Sequence, residues 1–108
     1  MYKYFPKTKD GLVKIIKSEV AKNGWNCDLN HINVRHITDM SYLFSGGYYS
    51  GYNLGEFNGD ISRWDVSNVE NMERMFYYAK SFNQPIGLWD VSKVTNMADM
   101  FNNATSFN

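Results

Sequence analysis

The chain has 108 residues, a formal net charge of zero, 44% apolar residues and 17% aromatic residues. This length holds one domain with a modest core, and the aromatic content excludes a disordered chain. The charge balance argues against nucleic acid or a membrane surface as partner, since both call for a net basic footprint.

Charge is nevertheless uneven: residues 1–22 carry six lysines against Asp10 and Glu19, a balance of +4, and the remaining residues carry five basic and nine acidic side chains, a balance of −4. Cys27 is alone, so no internal disulfide forms. The opening MYKYFPKTKDGLVKIIKSEV has neither the apolar run nor the cleavage site of a signal peptide, so the residues alone predict a cytoplasmic location. No segment has the apolar length of a membrane span, and no membrane insertion is expected.

In chain order, Tyr2, Tyr4 and Phe5 read as a short extended segment closed by Pro6. TKDGLVKIIKSEVAKNG then places Leu12, Ile15, Ile16 and Val20 on one helical face, with Thr8 or Asp10 to cap its start and Asn23-Gly24 to end it. Residues 1–24 are read as an N-terminal cap. Residues 57–81 and 82–106 are two copies of one 25-residue motif, identical at 14 of 25 positions. Residues 25–56 hold a degenerate first copy, in which Leu29, Ile32, Val34, Ile37, Met40, Leu43 and Phe44 match Ile61, Trp64, Val66, Val69, Met72, Met75 and Phe76. That copy is followed by a Gly/Tyr-rich insert, and residues 107–108 open a further copy.

A fixed period of this length marks units that bury their apolar faces against one another. Within a copy, Ile61, Trp64 and Val66 suit a strand, and Val69, Met72, Met75, Phe76 and Ala79 fall at helical spacing. The predicted fold is therefore an α/β solenoid, leucine-rich-repeat-like, with one short strand and one short helix per coil and an N-terminal helical cap. Strands stack more closely than helices, so the strands are expected on a concave side. Asn33, Arg35, Asp65, Ser67, Asp90 and Ser92 would line it as a polar strip for a partner.

WDVSNVENMERMF and WDVSKVTNMADMF, each followed by an alanine, a serine and FN, resemble the BspA-like leucine-rich repeat of bacterial surface proteins, also catalogued as DUF285 and abundant in mycoplasmas. The resemblance implies a leucine-rich-like solenoid displayed on a cell surface and engaged in adhesion or partner binding.

Other constellations have plainer readings. Cys27, His31 and His36, with Asp28 nearby, have too few convergent ligands for a structural zinc site, and no metal or cofactor is expected. Asp65 and Asp90 recur because the motif recurs, with no nucleophile or base beside them, so no catalysis is expected. The recurring methionines, with Trp64 and Trp89, read as core. Asn58, Asn83 and Asn108 read as a ladder that satisfies backbone groups. Tyr48, Tyr49 and Tyr52 sit among glycines and serines, and two readings stay open: a binding loop, or rings folded back onto the core.

At the far end Trp89, Val94, Met97, Met100, Phe101 and Phe107 have only the tail to cover them, an arrangement that marks an interaction surface. A homodimer through this coil is one expectation. The sequence thus predicts a non-enzymatic protein-interaction or adhesion module that binds a protein partner of unknown identity through its strand face and tyrosine loop; the alternative is a self-assembling structural repeat with no external ligand.

Overall fold

TKDGLVKIIKSEVAKNG forms a helix, as its periodicity predicts. In a computed structural model, which describes residues 1–47 and 51–108, α1 spans Lys9–Asn23. Thr8 is its N-cap: the hydroxyl oxygen accepts from the Gly11 N–H at 3.1 Å and satisfies a first-turn donor. Gly24, at a φ of 90° that favours glycine, ends it by donating to the Val20 carbonyl at 2.8 Å. Leu12, Val13 and Ile16 are buried, and Ile15 and Val20 are half-buried, so the inward face is turned slightly from the expected one.

Beyond α1 the expected α/β solenoid does not form. Among the described residues α1 is the one helix, and there is no strand or sheet. Parallel pairing is confined to isolated bridges between Tyr4 and Ile32, Asp39 and Asn71, and Asn71 and Asn96. The chain folds into a globule of 33 × 33 × 23 Å. With no strands among the described residues there is no concave strand face there, and curvature derived from strand and helix spacing does not apply.

The reason lies in a dense series of turns. In the expected strand segment the Trp64 N–H closes onto the Ile61 carbonyl and Val69 onto Val66, and the Asp65 carboxylate accepts from the Ser67 N–H between them. Asp and Asn side chains that bond the backbone two residues on compete with regular structure, and Asn33, Asp39, Asp60, Asn71, Asp90 and Asn96 do the same elsewhere.

The expected helix fails for a second reason. The N–H groups of Met72, Arg74, Phe76 and Tyr78 donate to the Asn96, Ala98, Met100 and Asn102 carbonyls of the next copy, at 2.8 to 2.9 Å. Met75, Tyr77 and Ala79 instead close i to i+3 turns onto Met72, Arg74 and Phe76. No donor is left for an i to i−4 ladder. Pointing alternate N–H groups sideways requires a left-handed residue at intervals, and Arg74 and Tyr78 have φ of 52° and 55°, matched by Asp99 and Asn103 at 54° and 61°. Such residues are foreign to a right-handed helix interior.

These turns enclose an aromatic core. Phe44, Phe76 and Phe101 stack at 5.6 and 5.3 Å, and Phe57, Phe82 and Phe107 form a second column at 6.5 and 5.9 Å. The columns join rung by rung at 4.7, 4.3 and 4.4 Å. Trp64 and Trp89 lie against Phe44 and Phe76, and their indole N–H groups donate to the Leu29 and Ile61 carbonyls at 2.9 and 3.1 Å, which satisfies the polar edge of a buried ring. Gly59 lies so close to Cys27 that an added Cβ would overlap its carbonyl oxygen.

Truncation of the columns should be graded along the stack. Phe76→Ala removes a fully buried ring with ring neighbours on every side and is expected to cost about 3–5 kcal/mol. Phe107→Ala removes a half-buried one and is expected to cost under about 2 kcal/mol. Urea denaturation of both variants measures the difference.

Candidate interaction surfaces

Lys9 docks the start of α1 onto the first copy. Its ammonium donates to the Asp39 carboxylate at 3.3 Å and to the Ser41 carbonyl and hydroxyl at 3.2 and 3.0 Å, and it lies 5.7 Å from the centre of the Tyr52 ring. At the other end of α1 the buried Glu19 meets His31 Nε2 at 2.7 Å and accepts from the Tyr4 hydroxyl at 3.2 Å. Burial pushes the Glu19 carboxyl upward, but the hydrogen bonds from His31 and Tyr4 outweigh it and hold the group below its ordinary value. His31 therefore serves Glu19. His36 is exposed, and burial together with the Glu19 charge pushes the Cys27 thiol up. Among the described residues no three His, Cys, Asp or Glu side chains converge.

The polar-strip residues sit on turns, not on strands. Asp65 accepts from the Ser67 hydroxyl at 2.6 Å and its N–H at 3.1 Å, and Asp90 accepts from the Ser92 N–H at 3.0 Å. Ser67 and Ser92 hold both carboxyls below the usual range. Asn33 likewise accepts from the Arg35 N–H at 3.0 Å. Beside them Asn68 donates to the Arg35 carbonyl at 2.8 Å and Lys93 donates to Asn68 at 3.0 Å, so the three copies are tied together along this edge. Asn33, Asp65 and Asp90 are thus engaged in their own turns, which leaves Arg35 as an exposed charge without an ion-pair partner among the described residues.

Of the loop tyrosines, Tyr48 and Tyr49 lie outside the described residues. Tyr52 is half-buried against the core and borders a shallow groove of about 360 Å³ with Trp25, Leu54 and Val20. Folding back onto the core describes Tyr52; neither reading extends from it to the other two.

The last copy is the open one. Met40 and Met72 are fully buried, yet the equivalent Met97 is 44% exposed; Ile86, Val91, Val94, Phe101 and Phe107 are half-buried where their counterparts in the earlier copies are covered. Trp89 and Met100 are buried, so two of the six residues expected on this face are inside it. Leu88, 97% exposed, was not among the expected contacts. Its signal was in the sequence: it stands where the earlier copies have His31 and Arg63. The expected asparagine ladder is present, with the Asn83 N–H donating to the Asn58 carboxamide at 2.8 Å and the Asn108 N–H to Asn83 at 3.2 Å.

A family model described as "Mycoplasma protein of unknown function, DUF285" matches residues 14–108. The chain belongs to the DUF285 family. The match takes in most of α1, the degenerate first copy and both clear copies, which is the stretch covered by the aromatic columns and the turns. No curated protein and no solved structure matches the chain. Among the described residues no helix of this DUF285 chain is long and apolar enough to cross a membrane.

The lowered carboxyls set the acid side of the stability profile. A group whose folded pKa is depressed contributes stability above its unfolded value and loses it as pH falls through the folded value. Glu19, Asp39, Asp60, Asp65 and Asp90 all act in this sense. The urea midpoint should be level down to the ordinary Glu and Asp values of 4.5 and 3.8 and fall below them, and Glu19→Gln should make that fall shallower. A pH series of denaturation curves on both proteins checks it.

Proposed function

We propose that this DUF285 chain is a non-catalytic protein-interaction module that engages another polypeptide through the open face of its last copy. The observation that carries the reading is the burial gradient: one motif position is fully covered at Met40 and Met72 and 44% exposed at Met97, and Val94, Phe101 and Phe107 are only half-buried where their counterparts are covered. An apolar surface of this kind is stabilised when a partner covers it.

Catalysis is not part of the proposal. A carboxylate pair working as acid and base needs pKa values driven apart, whereas Asp65 and Asp90 are both lowered, each by the serine two residues on. An adhesion-type role at a cell surface, implied by the family resemblance, is the wider setting proposed for the contact. The competing reading is self-assembly with no external ligand, to which the same exposed face lends support.

Photo-crosslinking decides between the two. With photo-methionine at position 97, irradiation of producing cells is expected to give adducts with a different polypeptide, and the same probe at the polar-strip position 65 should give few. Adducts with the chain itself alone would favour self-assembly, and no adducts at position 97 would remove both readings.

A further inference from the structure

The face between successive copies has a direction. Met40, Tyr42, Phe44 and Gly46 of the first copy donate their N–H groups to the Asn71, Glu73, Met75 and Tyr77 carbonyls of the second, at 2.7 to 3.0 Å, and the second copy repeats the pattern onto the third. Each copy therefore presents a row of donors towards the following one and a row of acceptors towards the preceding one. At the last copy the equivalent donors, the N–H groups of Met97, Asp99, Phe101 and Asn103, meet no acceptor among the described residues.

Three acceptors are incomplete in the same way. The Leu29 and Ile61 carbonyls each take a turn N–H and the indole N–H of the next copy, whereas the Ile86 carbonyl takes only the turn N–H of Trp89. The Thr38 and Glu70 carbonyls take the N–H of Glu70 and Thr95, and the Thr95 carbonyl takes none among the described residues. The Asn58 and Asn83 carboxamide oxygens accept from the ladder, and that of Asn108 accepts from no described residue.

We infer that the open face is a pairing edge for one further copy of the 25-residue motif, added in parallel register. This rests on the interaction reading above and names its partner by chemistry. The unfilled groups define a ligand with four carbonyls at alternate residues, an indole N–H over Ile86 and backbone N–H groups over Thr95 and Asn108, all of which the motif itself carries. The apolar part of the face includes Phe101 and Phe107, which continue the two phenylalanine columns.

A second molecule of this chain is a poorer fit in either orientation. A two-fold contact through the last copy sets one row of N–H donors against another, leaving both unpaired, which is costly once they are buried. Head-to-tail stacking would require the acceptor row at Asp39, Ser41, Leu43 and Ser45, and that row is covered: Ser41, Leu43 and Ser45 are buried and Lys9 donates to the Ser41 carbonyl.

The probe is a 25-residue peptide with the sequence of residues 84–108, titrated into the full chain while amide hydrogen exchange is followed by NMR. In the free protein the Met97, Asp99, Phe101 and Asn103 amides are expected to exchange fast and those of Met72, Arg74, Phe76 and Tyr78 slowly. Saturating peptide should slow the first four by about tenfold or more. Trp89→Phe within the peptide, which deletes the indole donor, should weaken binding by about fivefold. The proposal is overturned if the four rates stay unmoved at millimolar peptide, if a peptide of scrambled sequence protects them equally, or if they are already protected in the free protein. A heterologous adduct at position 97 together with an inert peptide would remove this inference alone and leave the interaction module standing.

Discussion

Backbone pairing between neighbouring copies is the constraint on which the rest depends. Once the N–H groups of Met72, Arg74, Phe76 and Tyr78 are committed to the next copy, the intervening residues can satisfy their own donors only through tight i to i+3 turns, and every other conformational feature follows. Left-handed backbone at Arg74, Tyr78, Asp99 and Asn103 is the local cost, of the order of 1–2 kcal/mol per residue. It is offset because the arrangement brings successive phenylalanines into two continuous columns. Hydrogen bonds set the direction and register of the copies, and burial of aliphatic and aromatic side chains together supplies the apolar stabilisation.

α1 complements this arrangement at one end. It brings Leu12 and Ile16 to the core, and its two polar anchors are of different kinds. Lys9 reaches over the first copy to a carboxylate, a carbonyl and a hydroxyl, and the carbonyl, that of Ser41, stands in the acceptor row of that copy. Glu19 is buried with His31 and Tyr4 around it, a pairing without which an ionised carboxylate would be costly inside the fold. The other end has no comparable cover among the described residues. The contrast fits the burial of Met40 in the copy that α1 covers, whereas at the last copy donors stand open and Met97 is exposed.

Much of the candidate site was legible in residue types and less of it in their geometry. The open face was readable from the motif, since Met97, Phe101 and Phe107 occupy core-type positions at its C-terminal side. Trp89 and Met100 belonged to the same reasoning and proved buried, because a copy packs its own tryptophan and second methionine on its inner side. The polar strip was readable as recurring Asp-x-Ser, but its assignment to a strand was not: the carboxylates are occupied by the hydroxyl or N–H two residues on, a bond that any loop Asp can make and that periodicity does not reveal. Nor did the spacing of Cys27, His31 and His36 reveal that His31 meets a helix residue twelve positions earlier.

By itself the sequence determined the copy length, most residues of the core though not the exposed Met97, the helix Lys9–Asn23 with its caps at Thr8 and Gly24, and the asparagine ladder. All of these depend on the identity of side chains or on contacts within a few residues. Only the tertiary structure decided that NVENMERMFYYA is not a helix and ISRWDVS not a strand. Methionine and phenylalanine at helical spacing describe a buried face equally well when the backbone turns. Arg74 and Tyr78 carry none of the glycine or asparagine preference that usually betrays left-handed backbone. Each follows a carbonyl that accepts from the preceding copy, as do the equally left-handed Asp99 and Asn103, a pairing that exists only once the copies lie side by side.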